Sequence, residues 1–520
     1  MQTAGWQKGL VAVLLLFLVG GGCLFLTQVL GGDSFSREEA QHALYALWIN
    51  KDIKAADLGA FWYDTQRQMY WPFLHSWVLA LVYLTLGVSY VTTRFLSLVI
   101  FGATLLLMYF SALRFSEKRG WEIGVLAVGL ALTSPLMLLY STQNTLEGLG
   151  ALIFLAVFYF YSICEERKLA YEYLILGVLI GLSIYTNYLY AYLMIPAFVV
   201  ATLMKLEPLF VQGVKLSREG EKSALHFLWW MYRKLIILGV LLVFIATWFL
   251  TASFSRKIML LLQALFRYGG GEPSLGMGQA LIYYPKIILT QVSFSPWIGL
   301  LLLIALVCPL AARGYRQVNK LYTFIWTVIL LLTLTIGGKA PQLMYIILPF
   351  IFLVGAAAVF HVAERWPKYA RLLAVVALVP ALVSLPLLVK SYAPSRPGEK
   401  MLQVLHFFKL GVAPRHALAA SINLQYLNPE GLAFHFWDWN APVLTDPVLG
   451  EDELFRNGQY FLAVELDPGS PYQAEVIDDA TLRWKAFLSS KLEAGEVREN
   501  SFRTFSSLGL TAKIYEKVSR

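Results

Sequence analysis

The sequence predicts a polytopic α-helical membrane protein of about eleven transmembrane helices, followed by a small α/β domain outside the bilayer. Three observations predict it. Of the 520 residues, 58% are hydrophobic and 14% charged, against roughly 45–50% and about 25% in a soluble globular chain. Apolar runs such as Leu10–Leu30 and Leu235–Leu250 recur, each close to the ~20 residues that cross a bilayer. The charge is also divided. From Lys400 onward there are 12 Lys and Arg against 15 Asp and Glu, while the rest carries 30 against 18. This composition excludes a disordered chain and an ordinary cytosolic enzyme. No basic patch with a reader motif points to nucleic acid. Three cysteines (Cys23, Cys164 and Cys308), all in or beside apolar runs, make no disulfide framework or zinc site.

The N-terminal apolar run is too long for a signal-peptide core of 7–15 residues, so Met1–Asp33 reads as an uncleaved first helix with its N-terminus inside. Trp71–Tyr90 looks apolar enough to span, but it holds Pro72 and His75 and begins in aromatic residues that favour interfaces. Loop charges decide its placement. With Trp71–Tyr90 lying on the surface, Arg114–Arg119, Glu165–Lys168, Lys205–Lys234, Arg313–Lys320 and Arg365–Arg371 all share the side of Lys8, with 3, 2, 6, 3 and 3 bases. One more span would turn every later basic loop outward, against the positive-inside rule. Leu281–Ser295, broken by Pro285, Lys286 and Gln291, is demoted on the same ground.

The predicted spans are then 9–30, 91–113, 121–140, 146–163, 171–186, 188–204, 235–252, 296–312, 321–336, 341–361 and 371–390. Residues 1–390 form the membrane domain, with a first outer loop at 31–90; 391–399 form a Pro/Ser/Gly linker. Residues 400–520 form the outer domain. Its strand-like runs are Ala419–Asn423, Pro442–Thr445, Tyr460–Val464 and Ser506–Tyr515. Its helix-like runs are Met401–Lys409, Glu451–Asn457 and Thr481–Leu492.

Ionisable groups near a membrane face are costly and so worth naming. The first outer loop supplies Asp33, Glu38, Glu39, Asp52, Asp57 and Asp64; the later outer loops supply Glu147, Glu272 and Lys339. Ser36-Arg-Glu-Glu39 reads as a capping box opening a helix through about Asn50. Glu38 and His42, four residues apart, share a face of it. Gly269–Gly276 lacks the features of a nucleotide loop and reads as a lid. Phe434–Trp439 reads as core more readily than as a carbohydrate platform.

Several of these segments together resemble a family. Ser36–Asn50 is similar to the Asp-Glu-Ala opening of the C-type membrane glycosyltransferases, which include protein O-mannosyltransferases and lipid A aminoarabinose transferases. Tyr70-Trp-Pro-Phe-Leu-His-Ser-Trp, Leu86-Gly-Val-Ser and Thr93-Arg-Phe resemble the family's juxtamembrane stretch. Ser134–Ser141 with Glu147 resembles its second acidic loop, and Gly181–Tyr188 its Gly…Thr-Lys-Tyr segment. Lys339 with Tyr345-Ile-Ile-Leu-Pro349 resembles its late Lys…Tyr-Leu-Pro element.

The resemblance implies transfer of a sugar, a hexose or pentose, from a polyprenyl-phosphate donor to an acceptor hydroxyl of a glycan, lipid or protein on the non-cytoplasmic face. It implies Glu38, Asp33 and Glu39 as the candidate catalytic carboxylates, with Glu38 in the family's base position. Lys339, Glu147, His42, Arg94, Arg67 and Tyr345 are candidate substrate-binding residues, with Arg256 or Arg267 as further phosphate partners. A divalent ion, held by Glu147 and Glu38, is the one cofactor the pattern allows. Glu38 stands where the family has Asp, and Asn187 where it has lysine. A transporter would place charge near the midplane on broken helices; here the charges gather at one outer mouth. A non-catalytic scaffold leaves that gathering unexplained. Membrane lipids are expected partners, and the plasma membrane the expected location.

Overall fold

The computed structural model describes residues 3–30, 34–68, 71–116, 118–167, 169–203, 222–250, 255–259, 262, 275, 277–307, 318–336, 339–365, 397–413, 416–438, 443–444, 450–467, 470 and 480–518. Asp33, Arg267, the Gly269–Gly276 segment apart from Leu275, the predicted span 371–390 and most of the predicted linker lie outside the described residues. The chain divides into two compact units. One comprises Met1–Phe25, Thr65–His75 and Phe95–Lys390; the other comprises Leu26–Asp64, Ser76–Arg94 and Ser391–Arg520. The sequence reading assigns the whole outer loop 31–90 to the membrane domain. In the structure most of that loop clusters with the C-terminal residues instead.

Among the described residues, five helical segments are long and apolar enough to cross a membrane: Gly5–Val29, Tyr90–Leu113, Leu146–Cys164, Tyr232–Phe249 and Pro341–Val362. Five more apolar helices are shorter, namely Leu74–Leu86, Ala170–Thr186, Tyr188–Leu203, Pro296–Val307 and Asn319–Leu334. The predicted eleven full-length spans are therefore not reproduced in detail. The predicted span 121–140 breaks into Gly120–Leu132 and Pro135–Ser141, bent by 75°. Pro135 cannot donate to the preceding turn. Ser134 starts the second piece by accepting from the Met137 amide at 3.3 Å, with Pro135 in the first turn. Leu74–Leu86 has 13 residues, about 20 Å at 1.5 Å per residue, too short for a core of about 30 Å.

Within the first unit, Pro341–Val362 is the innermost of the long segments, with 94% of its apolar window buried; Tyr232–Phe249, at 22%, lies at the rim. The inner segment starts as a 3-10 turn, Pro341–Ile347, and continues as the helix Leu348–Arg365. Ala170–Thr186 and Lys222–Phe249 approach closely because Gly181 and Gly177 lie at their contact. A Cβ on Gly181 would lie 2.5 Å from the Phe244 ring, and one on Gly177 3.0 Å from Val240. Small residues permit such helix contacts where hydrocarbon supplies no hydrophobic drive.

The second unit contains a five-stranded mixed sheet of order β2-β1-β3-β5-β4. The strands are β1 Leu418–Ala420, β2 Val443–Leu444, β3 Tyr460–Leu466, β4 Val497–Phe505 and β5 Leu510–Lys517. β1 pairs in parallel with β2 and β3; β5 pairs antiparallel with β3 and β4. Alternation along β3 feeds two cores. Tyr460, Leu462 and Val464 pack with Met401, Leu405 and Phe408 of the helix Pro397–Gly411, while Phe461 and Ala463 pack with Trp484 and Leu488 of Ala480–Glu493. Both faces are covered, the layering expected when every side of a strand is apolar. The sequence reading starts its last strand at Ser506 and omits β4. In the structure Leu508 and Gly509 form the turn of a β4–β5 hairpin, with Gly509 at φ +58°. β4 escapes a pattern reading because its middle is polar and exposed.

Candidate active site

The first group of candidate residues is built at the amino end of the helix Arg37–Ala55. The predicted capping box is present: the Ser36 amide donates to Glu39 Oε2 at 3.1 Å, and the Glu39 amide to Ser36 Oγ at 3.4 Å. The helix runs past the predicted end to Ala55 because Lys51-Asp-Ile-Lys54 offers no breaker; Ala56 ends it at φ +54°. Glu39 does more than cap. Its Oε1 accepts from Arg94 Nε at 3.3 Å, and both side chains are buried, at 2% and 7% exposure. Arg94 Nη2 also donates to the Ser34 carbonyl at 3.2 Å, and the guanidinium lies 5.2 Å from the centre of the Phe35 ring. Arg94 is thus engaged in holding the Ser34–Glu39 turn. Glu38, its neighbour, is half-buried in the same first turn, and His42, one turn on, is buried.

The same unit's C-terminal residues brace this turn. Phe35 lies 4.4 Å from Tyr90 and 5.1 Å from Phe434, ring centre to ring centre. Ser34 Oγ donates to the Tyr426 carbonyl at 3.1 Å, and the Tyr90 hydroxyl and His435 Nδ1 share a hydrogen bond of 3.3 Å. Phe434, His435 and Phe436 are buried, as the core reading expects, while Trp437 is exposed against it. Burial pushes the His435 imidazole down to about 3, helped by the Lys409 ammonium and His406.

The second group belongs to the first unit. Glu147 sits in the first turn of Leu146–Arg167, at 1% exposure, among Thr145, Tyr190 and Tyr345. Its Oε2 is buried without a hydrogen bond of good geometry. Tyr345 in turn meets Tyr140, whose hydroxyl donates to Gln342 at 3.3 Å. Lys339 is buried and points back at the end of the helix Val318–Leu334. Its ammonium donates to the carbonyls of Leu332 at 2.6 Å, Thr333 at 2.9 Å and Ile336, a cation on orphan helix-end acceptors. Burial holds its pKa below the usual lysine value.

One cation escapes the sequence reading. Of the pair Arg256-Lys257, the reading names Arg256, which is exposed; Lys257 turns inward and is fully buried. Its ammonium lies 3.5 Å from the Trp248 ring centre and donates to Gln66 Oε1 at 2.6 Å and the Trp248 carbonyl at 3.0 Å. Burial pushes it down to about 8. Trp248 Nε1 donates to the Tyr188 hydroxyl at 2.7 Å, and Phe73 packs on Trp248 and Tyr185. Arg67, next to Gln66, is exposed. Asn187, at the position of the family lysine, accepts from the Leu189 amide at 2.9 Å and serves the turn. Among the described residues, no group of three or more His, Cys, Asp or Glu side chains is placed to hold a metal ion.

Residues 71–214 match the family model of dolichyl-phosphate-mannose-protein mannosyltransferases. The fold matches the crystal structure of ArnT from Cupriavidus metallidurans bound to undecaprenyl phosphate, with a TM-score of 0.59 at 12% identity, over 98% of this chain and 97% of that one. The chain has the C-type glycosyltransferase fold. The same fold is shared with the archaeal oligosaccharyltransferase AglB from Archaeoglobus fulgidus, in complex with an inhibitory peptide and a dolichol-phosphate. That match has a TM-score of 0.50 at 11% identity, over 86% of this chain and 69% of that one. No curated protein sequence matches the chain. In a C-type fold the family-model segment takes in Glu147, Tyr188 and Tyr190 of the first unit and Arg94 of the second.

Proposed function

We propose that the chain is a glycosyltransferase that moves a hexosyl or pentosyl group from a polyprenyl-phosphate donor to an acceptor hydroxyl on the non-cytoplasmic face of the plasma membrane. The observation that carries this reading is the C-type fold over nearly the whole chain, joined to the mannosyltransferase family segment. It is supported by ArnT holding undecaprenyl phosphate and AglB a dolichol-phosphate and a peptide. The distribution of Lys and Arg among the loops supports the side.

In the second unit, Glu38 is the general base. It takes the proton of the acceptor hydroxyl as that oxygen attacks the anomeric carbon and the sugar–phosphate bond breaks, the bonding pair leaving with the lipid phosphate. Glu39 and Arg94 are positioning residues. They hold each other and the turn that carries Glu38, and Asp33 stands as the alternative base. His42 lies one turn from Glu38 and supports the acceptor side. In the first unit, Lys339, Lys257 and the exposed Arg67 are the cations for the lipid phosphate. Glu147 and Tyr345 are the polar contacts to the sugar. Among the described residues, the carboxylates do not complete a donor set for a divalent ion.

The test is transfer from a radiolabelled polyprenyl-phosphate sugar by the purified chain in oriented vesicles. Product should form only when the labelled sugar and acceptor share the face opposite the basic loops. Glu38→Gln, which keeps the shape and removes the charge, should lower turnover by about 10²–10⁴ with donor binding nearly intact. Normal transfer by Glu38→Gln together with failure of Asp33→Asn would move the base to Asp33. Lys339→Ala should raise the donor KM by the loss of charge-assisted bonds, about 1.5–3 kcal/mol each. An unchanged donor KM would leave Lys339 as a helix-end cap only.

A further inference from the structure

We infer that the C-terminal part of the second unit holds a binding groove for an acidic saccharide, a sugar ring that carries a carboxylate. The groove runs between the helix Pro397–Gly411 and β4. Gln403, His406, Phe407 and Leu410 line it from the helix, and Ser501 and Arg503 from the strand. A β-bulge puts the strand residues there. The β4–β5 register shifts between Glu499 and Ser501, so that Ser501 stands opposite Ile514 and Arg503 opposite Ala512. Ile514 and Ala512 belong to the core that Leu405 and Phe408 of the helix complete. Without the extra residue, strict alternation from Arg498 would bring Phe502 to this face and turn Arg503 away. Bulges beside functional sites re-aim side chains in this way.

The lining carries one sign of charge. None of the lining residues is acidic, and the carboxylate farther along this face of β5, Glu516, is taken by Arg498 at 2.8 Å. Arg503 is exposed, its guanidinium lies 5.1 Å from the Phe505 ring centre, and among the described residues it forms no ion pair. A guanidinium so placed keeps its fork of donors for a carboxylate. The rest of the lining suits a sugar ring. Gln403 is exposed and both donates and accepts, as neighbouring hydroxyls require. Ser501 Oγ is buried without a hydrogen-bond partner among the described residues, a group costly to leave unmet. Phe407 is half-buried and Leu410 is 87% exposed; together they form an apolar wall for the C–H face of a ring. An acidic peptide would instead bring several carboxylates to one guanidinium.

His406 ties the groove to the braced turn. Its ring centre lies 5.2 Å from that of His435, which shares a hydrogen bond with Tyr90. Tyr90 packs on Phe35, beside the Ser36–Glu39 box. Under the proposed function a sugar held here belongs to the acceptor, and that assignment rests on that reading. The binding itself does not, since it needs neither donor nor transfer.

The experiment is saturation-transfer NMR on the full-length chain, in a detergent with no sugar head group and with no lipid donor. The probes are methyl glucuronide and methyl glucoside, which differ in a carboxylate for a hydroxymethyl group. The glucuronide should bind about 10-fold tighter, the gain from one charge-assisted bidentate contact. Arg503→Gln should erase that gain. Arg456→Gln, at an exposed base of the helix Glu451–Asn457, which packs on the other face of the sheet, should leave it unchanged. Equal binding of the two sugars by the unmodified chain overturns the site, and that comparison needs no variant. A folded Arg503→Gln protein that keeps the preference overturns it as well. So does displacement of the glucuronide by an equal concentration of a glutamate-rich peptide, which would hand the groove to a protein partner. A negative result here leaves glycosyl transfer untouched, and a failed transfer assay leaves the binding in place.

Discussion

Glu39 and Glu147 both stand in the first turn of a helix, both at 2% exposure or less, yet their surroundings differ in kind. Glu39 closes a capping box, pairs with Arg94 and is braced through Phe35 by rings of the C-terminal residues. Glu147 has hydroxyls around it and, among the described residues, no salt bridge. A buried carboxylate with a cation and two backbone-linked partners is a fastener. One without a cation is expensive to keep and is retained where something else meets it. Under the proposed function, that difference assigns Glu39 to setting geometry and Glu147 to meeting the substrate.

Three measurements break or sharpen that contrast. The largest effect is expected at the fastener. Glu39→Gln keeps much of the cap but takes the Glu39 carboxylate away from buried Arg94, and removing one partner of a buried pair typically costs about 3–5 kcal/mol. Denaturant unfolding should show a loss of about 3 kcal/mol, and turnover of the remaining folded protein should fall less than in Glu38→Gln. A stability loss below about 1 kcal/mol would mean that the pair is not tied to the fold.

Glu147→Gln should behave the other way. Stability should hold or rise, because a costly buried charge disappears, while transfer falls by about 10–100-fold, or roughly 1.4–2.8 kcal/mol in the barrier. Full activity in this variant would return Glu147 to a structural role.

The smallest effect concerns the brace. His435 titrates at about 3 when folded and near 6.5 when unfolded. Between these values the unfolded chain binds more protons, so stability rises with pH across that window and is lost as pH falls below 6.5. One unit below, at pH 5.5, the loss should be about 1.4 kcal/mol. Thermal unfolding of the protein and of His435→Gln at pH 7.5 and 5.5 checks this. An identical acid response in the two would show that His435 carries none of it.

Much of the candidate site was legible where the signal is local. The Ser36–Glu39 box depends on residues three apart, and a helix places them together whatever surrounds it. Lys257 was not legible. Arg256 and Lys257 are adjacent bases in an apolar neighbourhood, and which one turns inward depends on Gln66 and Trp248, nearly 200 and 9 residues away. Arg94 is a similar case. Its position at a helix mouth suggested phosphate or solvent, and only the approach of a carboxylate 55 residues earlier engaged it.

By itself the sequence determined the membrane class, the capping box, and an α/β arrangement of the last 120 or so residues. These follow from apolar run length, from charge counts and from three- and four-residue spacings, all properties of a chain segment taken alone. Tertiary structure alone decided the 75° break at Ser134, the hairpin that adds β4, and the grouping of the outer loop with the C-terminal sheet. It also decided which of two neighbouring bases is buried. Those outcomes depend on partners far apart in sequence, whose burial and pairing energies exist only once the chain has folded.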